Sequence, residues 1–191
     1  VGFAGTAFPF LHYFIKDANP DSEIIGCDLM PEKILACRFV TAAAGDAADL
    51  PFRDNAFDCA VFAEIYEHLL EPVAALRELH RVLKPGGRLV FSTPSAAEPF
   101  RWLRSWLLPR RVHERNVYRY YLADEEHVQF PDPLSLLNIM DTCGLRPVGV
   151  ATKNHRIPLL GRFSRKAHLL DLAFWPASRL GSYLCIVAEK K

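Results

Sequence analysis

The sequence predicts an α/β fold, a doubly wound and mostly parallel sheet with helices on both faces. Three observations carry that prediction. Short apolar strands alternate with turns and amphipathic helices along the chain, the pattern that builds parallel sheets. The strands end at small or acidic residues, namely Gly5, Asp28, Asp46 and Ala63, and ligands of such sheets bind beyond the carboxyl ends of the strands. The run from Glu64 to Pro94, EIYEHLLEPVAALRELHRVLKPGGRLVFSTP, then reads as site, helix, tight turn and buried strand without interruption.

The elements follow in order. The apolar start VGFAGTAFPFLHYFI reads as the end of a first strand, closing at Gly5, followed by a helix. It lacks the basic leader and small-residue cleavage site of a signal peptide, so none is expected. EIIGCDL, residues 23–29, is a strand ending in Asp28, with a helix from near Pro31. AAAGDAADLPF supplies a strand end at Asp46, and FDCAVFAEI, residues 57–65, another strand. Pro72 sits at a favourable first helical position. Beyond it Val73, Leu76, Leu79, Val82 and Leu83 recur at three- and four-residue spacing and form one buried stripe. Lys84, Pro85, Gly86 and Gly87 are expected to end this helix, since proline cannot continue it and glycine reaches backbone angles other residues avoid. RLVFSTP follows as an interior strand. A helix is expected from near Asp132, and further strands over residues 146–152 and in GSYLCIVAEKK.

Composition bounds the reading. With 191 residues, half of them hydrophobic, the chain fits a single domain, 1–191, with a substantial core. Its five cysteines are odd in number, widely spaced and without a CxxC pair, which favours reduced thiols in a cytoplasmic protein over disulfides or a zinc site. No apolar run approaches the ~20 residues that cross a bilayer. Charge is uneven: residues 1–99 carry 8 basic and 14 acidic side chains, residues 100–191 carry 15 and 8. Much of the positive charge lies in residues 100–122, where Trp102, Trp106, Tyr118, Tyr120 and Tyr121 alternate with six arginines. Such a segment suits a lid for an acidic or lipid-linked acceptor, or peripheral membrane contact. A helical cap with ordinary snorkelling arginines fits equally well. The basic residues form no recognised nucleic-acid module, so no nucleic-acid partner is expected.

The motifs GCDLMPEKI, GDAADLPFRDNAFD, EIYEHLLEP and LKPGGRLVFSTP occur in this order. Through them, over roughly residues 5–145, the chain resembles the class I S-adenosylmethionine-dependent methyltransferases of the type 11-like group. The wording EIYEHL is most similar to the quinone-biosynthesis O-methyltransferase branch. The resemblance implies a Rossmann-like seven-stranded sheet with an antiparallel last strand, a clipped first strand and a helical lid over residues 100–125. It also implies S-adenosylmethionine as cofactor and methyl transfer to a small-molecule acceptor. The cofactor residues it implies are Gly5 and Ala7 in the loop after the first strand, Asp28 at the ribose hydroxyls and Leu29 on the adenine face. Asp46 and Ala47 would face the adenine edge, and Ala63 and Glu64 the methionine end. The residues themselves leave blander readings open: Asp28 as a cap for the next helix, Asp46 as a solvated turn residue.

One departure matters. Relatives usually have three glycines in the loop that here reads Gly5, Ala7 and Pro9, and proline donates no N–H. That departure motivates an alternative, a catalytically weak or inactive homologue acting as a binding partner. An NAD-dependent oxidoreductase is disfavoured because no GxGxxG follows the first strand and no Tyr-x-x-x-Lys pair appears.

Glu64, Glu67 and His68 form E-x-x-E-H. On a helix all three would share one face, and two carboxylates with an imidazole could hold a divalent metal, with His127 as a further ligand. Against this, Glu67 and His68 fit a solvated loop before Pro72, and His127 an anchor for the turn before the next helix. The expectation is therefore no metal, with His68 as the candidate catalytic base.

Overall fold

The structure, a computed structural model, describes residues 11–35, 38–95, 127–153 and 183–191. Its first helix, α1, spans Leu11–Ala18. The strand β1, Ile24–Asp28, and the strand β2, Val40–Ala44, flank a single-turn helix, α2, Glu32–Leu35. They pair in parallel, with Ile24 opposite Val40 and Asp28 opposite Ala44. Next come β3, Phe57–Ala63, a 3-10 turn at Tyr66–His68, the helix α3, Pro72–Val82, and β4, Leu83–Pro94. The last described elements are α4, Pro133–Thr142, β5, Leu145–Lys153, and β6, Tyr183–Lys190.

Among the described residues the strands form two sheets, a pair β1-β2 and a four-stranded sheet of order β3-β4-β6-β5. β3 and β4 are parallel, whereas β6 runs antiparallel to both β4 and β5. The antiparallel last strand is thus as expected. The expected first strand, ending at Gly5, lies outside the described residues, as does the lid segment 100–125.

One apolar core joins α3 and α4 to the four-stranded sheet. Ala75, Leu76 and Leu79 from α3 and Leu136 and Met140 from α4 pack on Ala60, Phe62, Leu89, Phe91, Leu184 and Ile186. Period-two burial along β4, with Leu89 and Phe91 inside and Val90 42% exposed, places this core on a single face. The sequence predicted an interior strand covered on both sides. On the opposite face Val90 is 42% exposed and lines a cavity.

One correction concerns α3. The helix stops at Val82, not within Lys84–Gly87, because Leu83 turns to an extended conformation and pairs with Phe57. The residues Lys84–Gly87 then form an irregularity inside β4, with Gly86 at φ +75°. No helix among the described residues is long and apolar enough to cross a membrane.

Candidate active site

Parallel pairing brings the ends of β1 and β2 side by side, and both open into a cavity of about 1250 Å³. Asp28, Leu29, Asp46, Ala47 and His68 are all on its wall. The approach is close: the Gly45 N–H donates to the Asp28 carbonyl at 3.1 Å. A side chain at Gly45 would collide with the Pro51 ring and come within 2.9 Å of Cys27 Sγ, so only glycine lets β2 turn into the loop here.

Each acid of this rim fixes its own turn. Asp28 Oδ1 accepts the Met30 N–H at 2.9 Å, and Asp46 Oδ1 accepts the Ala48 N–H at 2.9 Å. These are Asx-type turns. A carboxylate has about four lone-pair sites, so the turn role and a ligand role are compatible. Leu29 is 72% exposed on the same rim. Behind it the loop is latched to α3. Arg81 donates through Nη1 to the Phe52 carbonyl at 2.7 Å and through Nη2 to the Leu50 carbonyl at 2.9 Å. It also forks onto Glu78, at 2.8 and 2.7 Å. That fork, aided by the Leu50 N–H, holds the Glu78 carboxyl below the usual glutamate range.

Burial pushes up the thiols of Cys27 and Cys59, which also line the cavity. Neither is therefore poised as a thiolate nucleophile. Among the described residues there is no disulfide.

The segment after β3 departs from expectation. Ala63 pairs with Ser92 at the end of the sheet. Glu64 then enters the left-handed region, φ +53°, where a non-glycine residue costs about 1 kcal/mol or more. Two bonds hold it: its N–H donates to the Ser92 carbonyl at 3.0 Å, and Ser92 Oγ donates to its carboxylate at 2.7 Å. Both Ala63 and Glu64 stand off the cavity wall. Of the two readings of E-x-x-E-H the helix does not form: the segment is a 3-10 turn, and the carboxylate of Glu64 is not brought to the other two. His127 takes its place. Donor atoms of Glu67, His68 and His127 lie within 4.8 Å of one another.

Glu67 is not solvated. It is 1% exposed and accepts Thr93 Oγ1 at 3.0 Å. The rings of His68 and His127 stand 4.7 Å apart. The segment bearing His127 is stitched to the turn: the N–H groups of Val128 and Gln129 donate to the Glu67 carbonyl at 2.8 and 3.3 Å. Gln129 Nε2 also donates to the carbonyls of Tyr66 and Leu69, at 3.0 and 2.9 Å. Ser92, Thr93 and Gln129 were not singled out from the sequence. The pair Ser92-Thr93 sits at a strand's carboxyl end, which was signal enough. For Gln129, about 60 residues from its partners, the sequence held none. Gly5 and Ala7 lie outside the described residues.

Comparison with known proteins adds the following. Residues 4–91 match the family described as methyltransferase domain. A demethylmenaquinone methyltransferase from Corynebacterium kroppenstedtii is 32% identical over 136 residues, 66% of this chain and 59% of that protein. A malonyl-acyl-carrier-protein O-methyltransferase from Herminiimonas arsenicoxydans is 35% identical over 120 residues, 58% of this chain and 46% of that one. The chain thus spans about half the length of these curated relatives. In three dimensions it is similar to an S-adenosylmethionine-dependent methyltransferase from Mesorhizobium loti, with TM-score 0.61 and 18% identity over 93% of this chain and 86% of that one.

Proposed function

We propose that the chain transfers a methyl group from S-adenosylmethionine to a small-molecule acceptor, since residues 4–91 match the methyltransferase domain family and the fold is similar to that of an S-adenosylmethionine-dependent methyltransferase. The observation that carries this reading is the cavity rim, where Asp28, which ends β1, and Asp46, two residues beyond β2, share the wall with the exposed Leu29. That donor set fits the cofactor: a carboxylate for a vicinal diol, a second for an amino-purine edge, and an apolar surface for the ring between them.

When bound, the cofactor supplies a methyl group already activated on sulfur, so no covalent enzyme nucleophile is required. The chain's own part is to bind, orient and exclude water. In this proposal Asp28 accepts the ribose hydroxyls, Leu29 packs on the adenine, and Asp46 with the Ala47 N–H reads its edge. Gly5 and Ala7 shape the methionine end, whereas Ala63 and Glu64, off the cavity wall, would act there only by fixing the turn after β3. His68, in the turn after β3 and on the cavity wall, is proposed to take the acceptor's proton.

The acceptor proposed is acidic or lipid-linked. Support comes from the arginine-rich second half of the chain and from the names of the two relatives, one for demethylmenaquinone and one for a malonyl group on a carrier protein. The seventh strand, the lid over residues 100–125, a cytoplasmic location and any membrane contact belong to the same proposal. Sedimentation with anionic liposomes tests the last, and no pelleting removes it.

Calorimetric titration with S-adenosylhomocysteine and, separately, with NAD tests the core of the reading. Binding of the first alone is expected. Binding of neither would support a cofactor-free homologue, and binding of NAD alone would overturn the cofactor assignment.

A further inference from the structure

We propose that Arg81 of α3 is a positioning residue for the cofactor's purine: it fixes the loop that carries Asp46 and Ala47 and so sets the selectivity for adenine. The inference rests on the methyl-transfer reading, in which Asp46 and the Ala47 N–H face the adenine edge. Asp46 and Ala47 line the cavity, whereas Arg81 and Glu78 stand off its wall. Their effect on a ligand there passes through the loop.

A guanidinium has five N–H donors, and the Arg81 side chain makes five bonds. Nε and Nη2 fork onto the two Glu78 oxygens at 2.8 and 2.7 Å. Nη1 donates to the Phe52 carbonyl at 2.7 Å and to Asp54 Oδ1 at 2.8 Å, and Nη2 also donates to the Leu50 carbonyl at 2.9 Å. Glu78 Oε2 in turn accepts the Leu50 N–H at 2.9 Å. Both backbone groups of Leu50 are therefore held from α3. Further along, the Asn55 N–H donates to the Arg81 carbonyl at 3.0 Å and the Ala56 N–H to the Val82 carbonyl at 2.8 Å. Lysine cannot replace this fork, because its ammonium is a point charge without planar, divergent donors.

Leu50 is closely tied to the two residues proposed to read the purine. Only Ala48 and Asp49 separate it from Ala47, and the turn between is closed by the Asp49 N–H on the Asp46 carbonyl at 3.0 Å and the Ala48 N–H on Asp46 Oδ1 at 2.9 Å. This turn has two anchors. At one end the Gly45 N–H donates to the Asp28 carbonyl at 3.1 Å, which ties it to β1; at the other, Leu50 ties it to α3. Losing the Arg81 anchor frees the Asp46 side while Asp28 stays in β1, paired with β2. Purine and ribose contacts should then come apart. Hypoxanthine probes the purine edge, since its 6-oxo group and N1–H reverse the donor and acceptor that adenine presents. A carboxylate and an N–H held in place reject that edge, because each meets a group of its own kind; a loosened pair moves aside.

Three ligands are titrated by calorimetry into the wild type and each variant: S-adenosylhomocysteine, its hypoxanthine counterpart S-inosylhomocysteine, and its 2′-deoxyribose counterpart. The wild type is expected to prefer adenine over hypoxanthine by at least about a hundredfold. In Arg81→Lys that preference should fall at least about tenfold, while the preference for ribose over 2′-deoxyribose stays within about twofold of wild type. Glu78→Gln, which keeps Arg81 but spoils the fork, should lower the adenine preference by a smaller factor, and it decides the matter if Arg81→Lys does not fold. Asp54→Ala removes only the exposed partner of Arg81 and should leave both preferences unchanged. An adenine preference unchanged in the folded variants, two preferences that fall together, or a fall that Asp54→Ala reproduces in full overturns the positioning role; binding of S-adenosylhomocysteine in those cases leaves the methyl-transfer reading standing. A wild type that binds none of the three ligands overturns both.

Discussion

Asp28 has two tasks, and they can be separated chemically. Its Oδ1 accepts the Met30 N–H, which shapes the turn, and its charge is proposed to grip a diol. Asp28→Asn keeps a side-chain oxygen for the turn while removing the charge. Hydrogen bonds to a charged group contribute about 1.5–3 kcal/mol, so affinity for S-adenosylhomocysteine should fall at least tenfold in Asp28→Asn and Asp28→Ala alike. A calorimetric titration that finds both variants at wild-type affinity rejects the ribose assignment. Glu78 gives a second prediction. Arg81 lowers its carboxyl below the ordinary range, so the native state favours the ionised form more than the unfolded chain does. The pair then stabilises the fold at neutral pH, and that contribution is lost as pH falls through the lowered value. Urea unfolding should find Glu78→Gln about 1–2 kcal/mol less stable near neutrality, with the gap to wild type closing as pH falls below the ordinary glutamate range. A gap that holds constant into acid would mean the charge is not its source.

At the scale of elements, the loop between β2 and β3 rests on one glycine. Gly45 has Pro51 and Cys27 Sγ where a methyl group would go, so Gly45→Ala must push the loop away from β1. Both melting temperature and affinity for S-adenosylhomocysteine should drop, the latter because Asp28 and Asp46 separate. Gly86 is the control: nothing lies within 4 Å of its missing Cβ, but its φ is +75°, so Gly86→Ala should cost only about 1–2 kcal/mol and leave affinity intact. If both variants lose affinity equally, the effect is global and the loop argument fails. Elements whose signals are local were legible in the sequence. The stripe on α3, the start of α4 at Asp132, whose carboxylate accepts the Ser135 N–H, and the strands β5 and β6 each follow from a few adjacent residues. The turn at Tyr66–His68 was not, because five residues of E-x-x-E-H fit a 3-10 turn as well as a helix, and the choice is made by Gln129 and Thr93 from distant segments. The end of α3 was misplaced for a similar reason. A pairing with Phe57 extends Leu83 before the glycines are reached.

For the molecule as a whole, the two described sheets differ in how well they hold themselves. The four-stranded sheet has α3 and α4 on one face and a continuous apolar core. The β1-β2 pair offers five residues per strand and one short helix, and a two-stranded pair is marginal without further support. The cavity reaches both, since Ile24 and Asp28 of β1 line it together with Phe62 of β3 and Val90 of β4. A ligand there should therefore tie the weaker sheet to the stronger. Binding at about 100 times the dissociation constant stabilises by roughly 2.7 kcal/mol, equivalent to about a hundredfold slower opening. Hydrogen exchange with saturating S-adenosylhomocysteine should show this slowing in residues 24–44, with a smaller change in β6, whose amides are already paired on both sides. Equal slowing in every strand would show that the chain opens as one unit, so that the β1-β2 pair is not the weak element. No slowing at residues 24–44, while calorimetry still records binding, would place the ligand away from Asp28 and remove the pocket from the argument.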